Sequence, residues 1–240
     1  VIETVAATVT VQNRSGRPMG VRLAAPRGFA GPRPAWLVLH HKHGLDVFTE
    51  ACLTRLAAAG YVAAAPDLYH RSDPAASYDD KMAGLRDVEI LADAAATLAL
   101  LKARDEVRAD AIGCFGHCMG GRMSFMLAGA MPNAFAAAVV FYSGSMFKPW
   151  GAETAPFERL KDIRCPVVGF FGNDDKNPSP ADVDRFDAEL TAHGVRHVFH
   201  RYDGAAHAFQ SFQTPALYRP AQADDAWAKA TDWMAAQLTP

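Results

Sequence analysis

No stretch of this 240-residue chain concentrates charge of one sign: 24 Lys and Arg stand against 26 Asp and Glu, mixed along the sequence, for a formal net charge of −2. Nucleic acid and anionic membranes are bound through clustered positive charge, so neither is an expected partner. Long apolar runs are also missing, and a bilayer-spanning helix needs about 20 of them in a row. The first residues, Val1-Ile2-Glu3-Thr4-Val5, lack the basic and apolar regions of a signal peptide and read as a strand, although the absent methionine leaves open that upstream residues were trimmed. Cysteine is scarce: Cys52, Cys114, Cys118 and Cys165 are widely spaced apart from the 114/118 pair. That spacing argues against a disulfide framework and for a reducing cytosol as the expected location. With no internal repeat and no linker, one domain over residues 1–240 is expected.

What is present is enough apolar material for one large core, 50 % hydrophobic residues against 21 % charged. Val5 to Val11 alternates, Asn13-Arg14-Ser15-Gly16-Arg17 turns, and Met19 to Leu23 alternates again, which predicts an antiparallel β-hairpin. Pro26 to Pro34 reads as a loop. Trp36–Leu39, Tyr61–Ala65, Ala111–Gly116, Ala136–Tyr142, Cys165–Phe171 and His197–Tyr202 read as strands, most of them continuous apolar runs of the kind buried on both faces. Helical spacing covers Phe48–Ala59, Met82–Arg104 (as one helix with a ragged start), the segment after Cys118 to about Ala130, Asp182–His193 and Asp224–Leu238. Residues 71–80 are polar and irregular, and Ser143 to Asp162 is loop-like. Strand and helix alternate throughout. The expected fold is α/β: a mostly parallel sheet with helices on both faces, opened by the hairpin.

Gly116-His117-Cys118-Met119-Gly120, between a predicted strand and a predicted helix, fits Gly-x-Cys-x-Gly, the nucleophile elbow of α/β-hydrolases with cysteine in place of serine. A buried cysteine in a glycine-rich turn would give the same five residues, so the rest of the chain has to decide. Ligands of such sheets bind beyond the carboxyl ends of the strands. There the chain places Cys118, then Gly172-Asn173-Asp174-Asp175, then Asp203-Gly204-Ala205-Ala206-His207. Thiol, carboxylate and imidazole thus follow in hydrolase order. Cys118 is the expected nucleophile and His207 the base. Asp175 is the first candidate for the acid that orients the imidazole, with Asp174 the second. The backbone N–H of Met119 and one from the loop after Trp36–Leu39, chosen as Lys42, are expected to form an oxyanion hole.

Together Gly-His-Cys-Met-Gly-Gly, Pro66-Asp67-Leu68-Tyr69, Gly-x-x-Asp followed by Asn177-Pro178, and Ala206-His207-Ala208-Phe209 resemble the dienelactone hydrolase family over nearly the whole chain. The resemblance implies an α/β-hydrolase fold and a cofactor-free hydrolase whose Cys-His-Asp triad opens small esters or lactones through a thioester. It also marks departures. An ungapped reading puts His41 where dienelactone-opening members carry a glutamate that helps activate the cysteine. Ser211 stands where they carry an arginine for the substrate carboxylate, and Arg71 and Arg86 lie near the place of a second one. A hydrolase without that carboxylate clamp is expected.

Other patterns lead to duller readings. His40-His41-Lys42-His43 has no Cys, Asp or Glu neighbour at ordinary ligand spacing, so no metal is expected. Gly113-x-x-Gly116-x-x-x-Gly120 has the wrong spacing for a dinucleotide loop, and Cys114/Cys118 the wrong spacing for a redox pair. His41, Tyr69, Tyr142 and Phe209 are expected to wall the substrate pocket, with Trp150, Phe115 and Phe147 near strand ends as further candidates. The 143–162 stretch is too short for a large helical lid, which implies an open site for small substrates. The rival reading is a catalytically silent member that binds a ligand or partner. Oligomeric state stays open.

Overall fold

The computed structural model describes residues 3–12, 16–28, 31–151 and 153–240. The hairpin turn expected at Asn13–Arg17 falls largely on 13–15, outside the described residues, as do Phe29 and Ala30 of the expected loop. Its two strands are β1 (Thr4–Gln12) and β2 (Pro18–Pro26), antiparallel with Val9 opposite Val21. The chain continues through β3 (Arg33–Leu39), α1 (Val47–Ala58), β4 (Val62–Pro66), α2 (Tyr78–Gly84), α3 (Asp87–Lys102), β5 (Val107–His117) and α4 (Met119–Ala130). It closes with β6 (Ala137–Phe141), a 3-10 segment (Pro156–Asp162), β7 (Val167–Gly172), α5 (Pro180–Ala192), β8 (His197–Tyr202) and α6 (Pro220–Gln237).

These strands form one eight-stranded sheet in the order β1-β2-β4-β3-β5-β6-β7-β8, parallel from β4 to β8. Side chains alternate across it, as the period of two requires. Leu37, Ile112, Val140 and Val167 pack under α3, α4 and α5, while Trp36, Val38, Phe115 and Val168 pack under α1 and α6. Fully burying such a side chain is worth about 1.5–3 kcal/mol, so the double-sided core accounts for the continuous apolar runs. From β3 the chain first builds outward to β4, then returns to the other side of β3 with β5. The switch point between β3 and β5 is where ligands bind in open sheets of this kind.

Two expectations about helices change. Met82–Arg104 is not one helix but α2 and α3, broken at Leu85-Arg86, whose backbones are extended (ψ 145° and 133°). Ser77 caps the earlier helix by accepting the Asp80 N–H, so α2 begins inside the segment read as irregular. The 143–162 stretch, expected to be loop, contains the 3-10 segment, with Pro156 at its start. Among the described residues no helix is long and apolar enough to cross a membrane.

Candidate active site

Cys118 sits between β5 and α4 with φ 56° and ψ −119°, a conformation that non-glycine residues rarely adopt. The glycines around it make the bend sterically possible: a Cβ on Gly116 would overlap the Gly120 carbonyl group, and one on Gly120 would overlap the Leu39 carbonyl oxygen. The Cys118 N–H donates to the Phe141 carbonyl at 3.0 Å and its carbonyl accepts the Arg122 N–H at 3.1 Å, pinning the corner between β6 and α4. Among the described residues the other non-glycine positive-φ positions are Tyr142, Ser145 and Ala208. All three border Cys118 or His207. Each such backbone costs on the order of 1–3 kcal/mol, and strain of this kind collects at functional sites.

The turns after β8 and β7 bring two further groups to the sulfur. His207 Nε2 lies 3.0 Å from Cys118 Sγ, and His207 Nδ1 lies 2.9 Å from Asp175 Oδ2. Asp175 Oδ1 accepts the Asn177 N–H at 2.9 Å, so both carboxylate oxygens are engaged. Asp174, the alternative acid, is exposed and does not reach the imidazole. Burial opposes ionisation of the thiol. The His207 hydrogen bond and charge, with the Met119 N–H, outweigh it and hold Cys118 below the usual thiol range. Burial likewise opposes the imidazolium, but hydrogen bonds and charge from Asp175 and Cys118 push His207 up to about 10. Each group thus favours the ionised form of the other, a thiolate beside an imidazolium.

A cavity of about 230 Å³ opens on the sulfur, lined by Lys42, Met119, Ser145, Trp150 and Asn177 among others. The dienelactone hydrolase family model matches residues 19–238. The chain belongs to that family. Among proteins similar to this dienelactone hydrolase family member is a Synechocystis "Putative carboxymethylenebutenolidase", 29 % identical over 231 residues, 92 % of each chain. A solved structure described as a putative dienelactone hydrolase from Klebsiella pneumoniae superposes with TM-score 0.89 at 26 % identity, covering 97 % of this chain and 99 % of the other. An acylaminoacyl peptidase of Pyrococcus horikoshii shares the α/β-hydrolase fold at TM-score 0.79 and 13 % identity, over 98 % of this chain and 42 % of its own. The protein is thus a dienelactone hydrolase-like hydrolase.

Within this family member the four side chains expected to wall the pocket stand behind it. The Tyr69 hydroxyl donates to the Lys42 carbonyl at 2.8 Å and backs onto Met119. Tyr142 lies edge-on to His207 with ring centroids 5.1 Å apart, and Phe209 is wholly buried against Tyr142 and Tyr202. The positive φ of Ala208 turns the chain back toward the core just after His207, which is why Phe209 packs inward. His41 turns to Asp46, its Nε2 2.9 Å from Oδ2, and lies outside the lining of the cavity. Trp150 does line the cavity, whereas Phe115 is core and Phe147 packs on Phe157 and Phe186.

Sequence reasoning missed Arg122, which borders the cavity from α4 and is entirely buried. It pairs with Asp87 at 2.7 and 3.2 Å, donates to the Ser145 and Lys148 carbonyls, and stacks 3.8 Å from the Trp150 ring centroid. Its place four residues after Cys118, on the same helical face, was the available signal. Of the other arginines, Arg71 is held by both Asp93 oxygens at 2.6 and 2.8 Å. Arg86 lines a groove of about 540 Å³ that shares Met82, Ser145 and Trp150 with the cavity.

Proposed function

We propose that the protein is a cysteine-dependent hydrolase of small carboxylic esters or lactones, working through Cys118, His207 and Asp175 and needing no cofactor. The observation that carries this reading is the 3.0 Å approach of His207 Nε2 to a sulfur held at a strained elbow. The thiolate attacks the substrate carbonyl carbon, forming the C–S bond and pushing the π electrons onto oxygen. That oxyanion is met by the Met119 and Lys42 N–H groups. Collapse expels the alkoxide, which takes the Nε2 proton of His207, and leaves a thioester on Cys118. His207 then removes a proton from water as it attacks the thioester, and collapse breaks the C–S bond and releases Cys118 as the thiolate beside the re-formed imidazolium. Asp175 fixes the imidazole tautomer and stabilises its cation. In a lactone both product groups stay on one molecule.

His41 faces Asp46 and cannot supply negative charge, so activation of the thiol rests on His207. A cavity near 230 Å³ suits small acyl groups. The four cysteines are all free thiols, in keeping with a reducing cytosol. Turnover of p-nitrophenyl acetate should vanish in Cys118→Ala, and the native protein should carry one acyl group on Cys118 when quenched during turnover. Full rate in Cys118→Ala overturns the reading. A native protein that neither turns over esters nor reacts with iodoacetamide near neutral pH supports the silent, ligand-binding alternative.

A further inference from the structure

The loop from β3 to α1 holds a cluster that the proposed chemistry does not use. His41, His43 and Asp46 each place one ligand atom within 4.8 Å of the others. Along the chain Asp46 follows His43 by three residues and His41 by five, a spacing the sequence reading passed over. Asp46 reaches them because the turn closed by the Gly44 N–H on the His41 carbonyl (3.0 Å) leads straight into the first turn of α1.

Two of the three groups already face each other at short range. His41 is 8 % exposed, and its buried Nε2 makes no hydrogen bond of ordinary geometry; nor does the buried Asp46 Oδ2, although the two are 2.9 Å apart. The contact is off-line rather than absent, and an ion seated beside it would give each atom a second, directed partner. The other carboxylate oxygen, Oδ1, accepts the Thr49 N–H at 3.0 Å, which fixes the orientation of the group in the way outer-shell contacts fix metal ligands. His43 supplies the third donor from the wall of a cavity of about 540 Å³ that also exposes Asp46 and Asp67, leaving room for an ion to approach and for water to complete its coordination.

We propose that His41, His43 and Asp46 form a binding site for a divalent transition-metal ion of the zinc class. Two imidazoles and one carboxylate with an open position match zinc and its neighbours, whereas calcium and magnesium take all-oxygen sets. An ion held there ties together the residues on either side of Lys42 and the N-cap of α1.

The test uses the full chain carrying Cys118→Ala, which removes the thiol that would itself take zinc beside His207. Zinc titrated calorimetrically, and cobalt titrated with a visible spectrum, should each bind at one equivalent in the micromolar range and raise Tm, as an ion that binds only the folded state must. In the same background His43→Ala removes a surface-accessible ligand. Asp46→Asn removes the anionic ligand but keeps a capping oxygen for Thr49. Each should weaken binding by about tenfold or more. Binding no tighter than millimolar in the parent, or equally tight binding in both variants, overturns the proposal, the latter assigning the ion to other histidines.

Discussion

Two acid–base pairs of nearly equal length border the same cavity and are built in opposite ways. Arg122 and Asp87 meet at 2.7 Å with side chains 0 % and 4 % exposed. Every remaining site on them is filled: Arg122 also reaches two carbonyls, and Asp87 Oδ2 accepts the Trp150 N–H at 2.8 Å. A guanidinium does not give up its proton, so this pair is a fixed strut that holds residues 145–150 against α3 and α4. His207 and Asp175 meet at 2.9 Å, but the imidazole is 31 % exposed and its second nitrogen faces a thiol. What the proposed chemistry asks of a buried pair is neither closeness nor burial. It is a titratable member with one partner left over.

Breaking each pair should therefore give opposite results. In His207→Ala, kcat/KM for a small ester should drop by roughly a thousandfold or more, since acid–base catalysis alone contributes about 10²–10⁴. Its urea midpoint should move little. In Asp87→Ala, a buried guanidinium loses its counter-charge, and unfolding free energy should fall by about 3–5 kcal/mol in urea titrations. The fraction still folded should keep a thiol that iodoacetamide alkylates near neutral pH. If the two variants behave alike, the distinction between strut and reactive pair fails.

A smaller effect sharpens the contrast, because only one pair titrates. The His207 pKa is raised from 6.5 to about 10, so its stabilising contribution is complete below 6.5 and is lost as pH climbs toward 10. The Cys118 pKa is lowered from 9.0, so its contribution is complete above 9.0 and is lost as pH falls through the folded value. Between the folded thiol pKa and 9.0 the slopes oppose each other: folded thiolate–imidazolium and unfolded thiol–imidazole hold the same single proton. Stability due to the pair should be flat over that interval and fall between 9.0 and about 10, where only the imidazole slope remains. In Cys118→Ala the imidazole slope stands alone, so Tm relative to the wild type should decline as pH rises from the folded thiol pKa toward 9.0. Parallel Tm profiles for the two proteins would show that His207 and Cys118 do not share a proton.

The parallel sheet and the order Cys118, Asp175, His207 were legible because each rests on local pattern: apolar runs for strands, glycines at a bend, reactive types at strand ends. Contacts between segments distant in the chain were not. Nothing near Asp87 announces that its partner is Arg122, 35 positions on. Phe209 looked like a pocket wall because strand ends are where pockets lie, yet one backbone angle at Ala208 sends it into the core. The break at Leu85-Arg86 escaped the periodicity because apolar spacing runs on across it, while the Ser77 cap and Gly84 mark a separate short helix. His41 and Asp46 are five positions apart, and only the turn between them makes them neighbours.

The smallest predicted effect concerns adjacent residues that the sequence could not separate. Asp174 and Asp175 share charge, size and turn, and differ in where the side chain goes. The Asp174 backbone N–H donates to the Ala205 carbonyl at 2.9 Å, which helps align the two turns, but its carboxylate stays in solvent. Asp175 is 6 % exposed and divides its oxygens between His207 and the Asn177 N–H. Replacing Asp174 by Asn leaves the backbone bond in place and removes only a solvated charge, so kcat/KM should stay within about twofold and stability within about 0.5 kcal/mol. The same change at Asp175 puts an amide against His207 Nδ1, which can hold the wrong tautomer, and should lower kcat/KM by about 10² or more. Equal losses at the two positions would mean that the carboxylates act through general charge on the loop. A loss confined to Asp175 means that the imidazole is governed by one directed hydrogen bond, which the fully bonded Arg122–Asp87 strut across the cavity has no counterpart for.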